Sequence, residues 1–257
     1  MQGEASPDRV LWAVTGPDAL TFLQGLVSND VRPLAAGPGL IWAALLTPQG
    51  KYLADFFVAR AADTAPDTYL IDIGAPLAGA TLRRLTMYRL RAKVTLAPCP
   101  LHVQRGLGDG PVGALPDPRH PALGWRSYTD VAGGDATIDW TAIRVAHCIP
   151  ESGIELIPDD SYLLETGFER LHGVDFRKGC YVGQEVTARM KHKTELRKGL
   201  VRVAIDGTAP VGTEVRAGDK VVGRLFSQSG GLAIAYLRFD QAQGDMQAGD
   251  AVIRREG

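Results

Sequence analysis

The segment Arg177-Lys178-Gly179-Cys180-Tyr181-Val182-Gly183-Gln184-Glu185-Val186-Thr187-Ala188-Arg189 holds the densest concentration of reactive chemistry in the chain. A thiol and a tyrosine lie between two glycines, and a basic pair precedes them. The thiolate is the reactive form of cysteine, and a neighbouring cation or a helix N-terminus favours it. The pattern assigns Cys180 as the working sulfur and Lys178 as its assisting cation. Gly179 and Gly183 supply unusual backbone angles or room for a close approach. A free cysteine is also a common buried residue, and spacing alone leaves that alternative open.

The chain has three cysteines, Cys99, Cys148 and Cys180, none in a C-x-x-C pair. An odd, scattered set fits a reducing compartment and no disulfide framework. It also lacks the thiolate spacing of a resident iron–sulfur cluster. The five histidines are equally dispersed, so no metal site is expected. Net charge is −1, which gives no global field toward nucleic acid or membrane. Residues 177–202 do carry eight Lys/Arg against two Glu, a solvated basic loop or a receiver of anions. The start, MQGEASPDRV, has no apolar core and reads as no signal peptide. A cytoplasmic protein without a membrane span is expected.

The elements that must position the thiol follow from periodicity. Arg9 to Val14, Leu40 to Leu46, Tyr52 to Ala59, Thr68 to Ile73 and Ala92 to Leu96 read as strands. Ala19, Phe22, Leu23 and Leu26 make a helical stripe, and Pro76 to about Tyr88 a second helix. Ile138 to His147 and Gly183 to Lys193 also have helical character, and Gly106 to Gly124 reads as a loop. From Gly199 onward short β-rich runs alternate with glycine turns. The expected fold is α+β, antiparallel sheets with packed helices followed by a small C-terminal β-barrel. The expected boundary puts one domain at 1–197 and the barrel at 198–257.

The chain also resembles a known family, the YgfZ-type folate-binding proteins. Lys178, Gly179, Cys180, Tyr181, Gly183, Gln184, Glu185, Ala188 and Arg189 match its signature K-G-C-Y-x-G-Q-E followed by A-R. Phe22-Leu23-Gln24-Gly25 with Ser28-Asn29-Asp30-Val31 resembles its F-L-Q-G-x-x-[ST]-N-D-V. Thr47-Pro48-Gln49-Gly50-Lys51 and Tyr88-Arg89-Leu90-Arg91 resemble two further stretches. The resemblance implies a fold like the aminomethyltransferase of glycine cleavage, a tetrahydrofolate ligand and a part in building or repairing iron–sulfur enzymes, those that modify tRNA among them. It implies client iron–sulfur proteins or assembly factors as partners.

On this resemblance Trp140 matches a folate-contacting tryptophan, and Arg144, four residues on, shares its helical face. Arg144 then binds an acidic tail or pairs with a carboxylate. Asp55 becomes the acceptor at the pterin edge, while Tyr181, Gly183, Gln184, Glu185 and Arg189 line the ligand beside Cys180. Where the aminomethyltransferases tend to carry two acids, this chain has Ala54-Asp55, which weighs against the alternative reading, a folate-dependent aminomethyl or methyl transferase. Cys148 stands where the family usually has glycine, in Cys148-Ile149-Pro150-Glu151. There it narrows a ligand approach that glycine would leave open.

Overall fold

The computed structural model describes residues 3–62, 64–193 and 195–255, with the side chain of Lys193 left out. Thr194, in the stretch that follows the thiol signature, and Glu256 and Gly257, at the end of the last predicted run, lie outside the described residues. The element order is β1 (Glu4–Ala5), β2 (Arg9–Thr15), α1 (Ala19–Gln24), β3 (Gly39–Leu46), β4 (Tyr52–Arg60), β5 (Thr68–Gly74), α2 (Ala75–Arg89), β6 (Thr95–Pro98), β7 (His102–Gly106), β8 (Leu115–Pro116), β9 (Trp125–Thr129), α3 (Trp140–Ala146), α4 (Gln184–Lys193), β10 (Lys198–Asp206), β11 (Glu214–Ala217), β12 (Lys220–Ser229), β13 (Leu232–Arg238), β14 (Asp245–Ala248) and β15 (Ala251–Arg255). Short 3-10 turns occupy Arg32–Ala35 and Pro121–Leu123.

The chain forms two compact units, and neither is contiguous. One comprises residues 1–138 and 171–184, the other 139–170 and 185–257. The first unit holds a five-stranded antiparallel sheet, order β3-β4-β5-β2-β6, and a four-stranded one, β1-β7-β9-β8. Side chains alternate across a strand, and the larger sheet uses both of its faces. Ala54, Phe56, Val58, Ile71 and Ile73 turn to one face and share a core with Phe22 and Leu23 of α1 and Ala78 and Leu85 of α2. Leu11, Ala59 and Leu70 turn to the other and pack against Val103, Leu115 and Tyr128 of the second sheet.

That second face also carries a buried polar layer. Asp72 accepts hydrogen bonds from Arg9 Nε (2.5 Å), Arg126 Nη1 (3.1 Å) and Tyr128 Oη (3.1 Å). Asp117 accepts from Arg119 and from Arg126. The Arg119 and Arg126 guanidiniums lie over the Phe57 ring, 4.9 and 4.2 Å from its centre. Buried charges need such pairing. The glycines of the expected loop at 106–110 serve packing: a Cβ on Gly106 or Gly110 would stand 2.5 or 3.0 Å from atoms of the Trp125 ring.

In the second unit six strands close into a barrel, order β10-β13-β12-β11-β14-β15. Val203, Val215, Leu225, Ala235, Leu237, Met246 and Ile253 fill it. Closure leaves no unpaired sheet edge. The same unit contains α3 and most of α4 as well as the barrel.

Candidate functional site

The residues around Cys180 are held by a motif far away in sequence. Helix α1 ends at Gln24, and the last carbonyls of a helix have no partner within it. Lys178 Nζ donates to Gln24 O (2.6 Å) and to Val27 O (2.5 Å), 154 and 151 positions away. A cation at a helix C-terminus also complements the helix dipole. Gln24 Nε2 reciprocates by donating to Lys178 O (3.2 Å), while its Oε1 accepts from Val31 N (2.9 Å). Ser28 Oγ donates to Gly173 O (2.6 Å), Asn29 Nδ2 to His172 O (2.6 Å), and Asp175 N to Ser28 O (3.1 Å). The polar positions of the 22–31 motif thus bind the stretch that leads to the thiol.

The other signature residues finish the anchorage. Tyr181 is buried, and the Lys178 ammonium stacks 4.7 Å from its ring centre. Val182 packs against the core shared by α1 and α2. Gly183 has φ +83°, and a Cβ there would meet Thr47 O at 2.5 Å, Leu46 Cβ at 2.9 Å and Gly50 Cα at 3.1 Å. It therefore seats against the turn Thr47–Gly50, closed by Gly50 N donating to Thr47 O (2.9 Å). Between these fixed points Gly179 and Cys180 are exposed. Cys99 and Cys148 are half-buried, so Cys180 is the exposed thiol of the chain.

Lys178 does a different job from the one its position suggests. It is buried, its ammonium is directed to carbonyls at the end of α1, and burial lowers its pKa to about 8. Helix α4 opens only at Gln184, and a helix dipole acts within about its first turn. The signature presents the sulfur by fixing the backbone on either side of it. Glu185 and Arg189 pair with each other on the surface of α4 (2.7 Å), an i,i+4 contact of small energy. Gln184 N donates to Tyr181 O (3.2 Å).

The residues expected around folate are divided between the units. Asp55 lies in the first, on the sheet face opposite α1 and α2, where Oδ2 accepts from Trp42 Nε1 (2.8 Å) and Oδ1 from Tyr52 Oη (2.6 Å). Trp140 and Arg144 lie in the second. Trp140 is buried at the first position of α3, whose N-cap Asp139 accepts from Ala142 N (2.8 Å). Arg144 donates to Ile149 O (3.0 Å) and Ser227 Oγ (3.1 Å) and pairs with Glu151 (3.1 Å) and Glu155 (3.3 Å). Of its two readings, the structure shows the carboxylate pair. Asp55 and Arg144 each have polar atoms engaged inside the chain.

Relatives decide the family. Over 93% of its length the chain is 31% identical to the iron–sulfur cluster assembly factor IBA57, mitochondrial, of Mus musculus, and spans 78% of that protein. The chain belongs to the IBA57 family of iron–sulfur cluster assembly factors. The human protein of that name matches over the same shares of both chains, also at 31%. The homolog of the fungus Mycosarcoma maydis is 34% identical over 79% of this chain, which spans 58% of the fungal protein. Residues 197–256 match the family model of the CAF17 C-terminal β-barrel domain. The crystal structure of the glycine cleavage system aminomethyltransferase T from Bartonella henselae superposes with a TM-score of 0.73 at 14% identity, covering 97% of this chain and 83% of the other. That likeness shows a common fold.

The IBA57 relatives refine the resemblance to YgfZ-type proteins and correct one expectation. The cytoplasmic assignment does not stand, since these relatives are named as mitochondrial proteins. Its physical basis was weak: scattered free thiols fit any reducing compartment. The basic run at 177–202 is largely occupied as well. Lys191 pairs with Glu169, Lys198 lies 3.7 Å from Glu165, and Arg202 donates to Ala146 O (2.6 Å).

Cys148 occupies a backbone position that suits glycine. The residue follows α3 with φ +50°, the left-handed turn that ends many helices, where glycine is the usual occupant. A glycine here would serve as a helix stop. Burial raises the Cys148 thiol pKa to about 11. Cys148→Gly is expected to stabilise the chain by about 1 kcal/mol through relief of backbone strain, read as a higher midpoint in urea denaturation.

Proposed function

We propose that this chain assists the assembly or repair of iron–sulfur clusters in client proteins, with Cys180 as the working thiol. The observation that carries the reading is the anchoring around it. Lys178, Tyr181 and Gly183 are each fixed, while the sulfur between them is left in solvent. An exposed thiol between anchored residues is available as a ligand to iron, or as an acceptor of sulfane sulfur from a persulfide donor that departs as a thiol. Among the described residues no group of three or more His, Cys, Asp or Glu could hold a metal ion. In this reading the remaining cluster ligands come from the client.

The test is Cys180→Ser, measured by the activity of a [4Fe–4S] enzyme in cells lacking the native protein. The expected result is loss of complementation with thermal stability nearly unchanged, since an exposed side chain contributes within about 0.5 kcal/mol. Full complementation by the variant would refute the role.

One observation favours a second reading, folate-dependent aminomethyl transfer: the fold shared with aminomethyltransferase T. Tetrahydrofolate would then bind in the fold that the two proteins have in common. Saturable heat on calorimetric titration with tetrahydrofolate is compatible with both readings, whereas turnover of an aminomethyl or methyl donor with tetrahydrofolate belongs to the second alone.

A further inference from the structure

Helix α2 ends in a surface that nothing above explains. Residues 83–93, RRLTMYRLRAK, carry five Lys/Arg and no Asp/Glu, in a chain whose net charge is −1. Arg83, Arg89, Arg91 and Lys93 are exposed and Arg84 is partly so. Among the described residues none of the five forms an ion pair. Arg89 donates to Val94 O at 3.5 Å, and the acid at the rim, Asp18, accepts from the backbone N–H of Lys93 (2.7 Å). Two large apolar side chains stand among these cations, Met87 at 69% and Leu90 at 87% exposure.

Leu90 is also strained. As the C-cap of α2 it has φ +44° and ψ −108°, a region that suits glycine and costs a side chain dearly. Strain combined with exposure of a leucine gives the isolated chain nothing. Both become intelligible when the side chain fills a socket on a partner. Helix α2 shares its core with α1, the helix capped by Lys178, so a partner seated on α2 engages the face of the sheet to which the thiol segment is tied.

We propose that the C-terminal end of α2 is the docking surface for an acidic protein partner, with Leu90 and Met87 as apolar anchors and the arginines as their charged rim. Arginine and methionine around a desolvated apolar anchor are typical of protein interfaces. Nucleic acid would meet the charges but offers no socket for two aliphatic side chains, and a bilayer surface is held by a longer apolar face than two residues provide. That the partner is an iron–sulfur apoprotein rests on the function proposed above.

The test titrates the full chain with fluorescein-labelled apo-ferredoxin, an acidic iron–sulfur protein, and in parallel with phosphatidylglycerol vesicles and a short RNA. The expected result is saturable binding of apo-ferredoxin that weakens with salt. Affinity falls at least about tenfold in the triple variant R83E/R89E/R91E and in Leu90→Gly. Leu90→Gly supplies a second readout: relief of strain raises its Tm by roughly 2–4 °C even as binding is lost. Equal binding by wild type and variants, no binding of apo-ferredoxin, or variant-sensitive binding of vesicles or RNA alone overturns the proposal. Cys180→Ser is expected to dock normally and yet fail to complement, so failure of the surface and failure of the thiol role are separate results.

Discussion

Replacing Asp72 by alanine is expected to destabilise the chain by about 3–5 kcal/mol, a large share of the roughly 5–15 kcal/mol that holds a typical domain together. The carboxylate is fully buried and takes hydrogen bonds from Arg9, Arg126 and Tyr128. Removing it leaves the Arg9 guanidinium without its counter-charge and Arg126 with Asp117 alone, between the sheets of the first unit. Urea denaturation followed by circular dichroism measures the loss. A double variant with Arg126→Met is expected to lose less than the sum of the two single losses, because the partners act together.

The same carboxylate makes stability depend on pH. Burial alone would raise the Asp72 pKa. The Arg9 and Arg126 guanidiniums and the hydrogen bonds from Arg9 and Tyr128 outweigh burial and set it below the ordinary value. Asp117 is lowered in the same way, burial being outweighed by Arg119 and Arg126. A carboxyl with a lower pKa folded than unfolded gives its full stabilisation above the unfolded value, about 4, and loses it as pH falls through the folded value. Wild type is therefore expected to lose stability steeply below about pH 4. Asp72→Asn should be weaker at neutral pH and decline less steeply in acid, and an equally steep decline would mean that Asp72 is not among the groups responsible.

The second large effect is expected from Gly183→Ala. The new methyl group would stand 2.5 Å from Thr47 O and 3.1 Å from Gly50 Cα, at a residue with φ +83°. Backbone strain and overpacking together amount to about 3 kcal/mol or more. Gly179→Ala is the control: φ is +97°, yet nothing lies within 4 Å of its Cβ position, so strain alone acts, about 1–2 kcal/mol. Thermal melts rank the two variants, and the rate of Cys180 alkylation reports whether the loop still presents its sulfur. An alanine at 183 that melts like one at 179 would show that the Thr47–Gly50 turn is not a seat for the signature.

Much of this fold is written in local periodicity. In Tyr52–Arg60 the residues at 54, 56 and 58 join the helical core while 55, 57 and 59 turn to the opposite face, and a largely apolar strand of this length announces such two-sided burial. The barrel is equally plain from its short alternating runs. The second sheet is not. Strand β7 reads His-Val-Gln-Arg-Gly and β8 has two residues. Arg126 of β9 faces a buried polar layer, where a hydrophobic pattern cannot reveal it. Strand β14, Asp245–Ala248, is short and polar on alternate residues and escapes notice for the same reason.

The site divides in the same manner. Cys180 and its glycines are conspicuous in the sequence, but spacing leaves open whether the thiol is buried, and only the fold shows it exposed. The destination of Lys178 is not conspicuous, because its acceptors are main-chain carbonyls at and just beyond the end of α1, which no residue type marks. Gln24, Ser28 and Asn29 belong to a recognisable motif, but their role as anchors shows only once His172, Gly173 and Lys178 are beside them. Arg144 likewise finds Ser227 from 83 positions away.

The ammonium that joins residue 178 to residues 24 and 27 spans more than half the chain. During synthesis the anchor is made long before the segment it must hold, and a loop of that length closes slowly. The cysteine therefore becomes correctly displayed only after nearly all of the first unit has folded. A product stalled before residue 178 holds the anchoring carbonyls but neither the lysine that fills them nor the sulfur, so a displayed thiol marks a first unit whose segments are all present and joined.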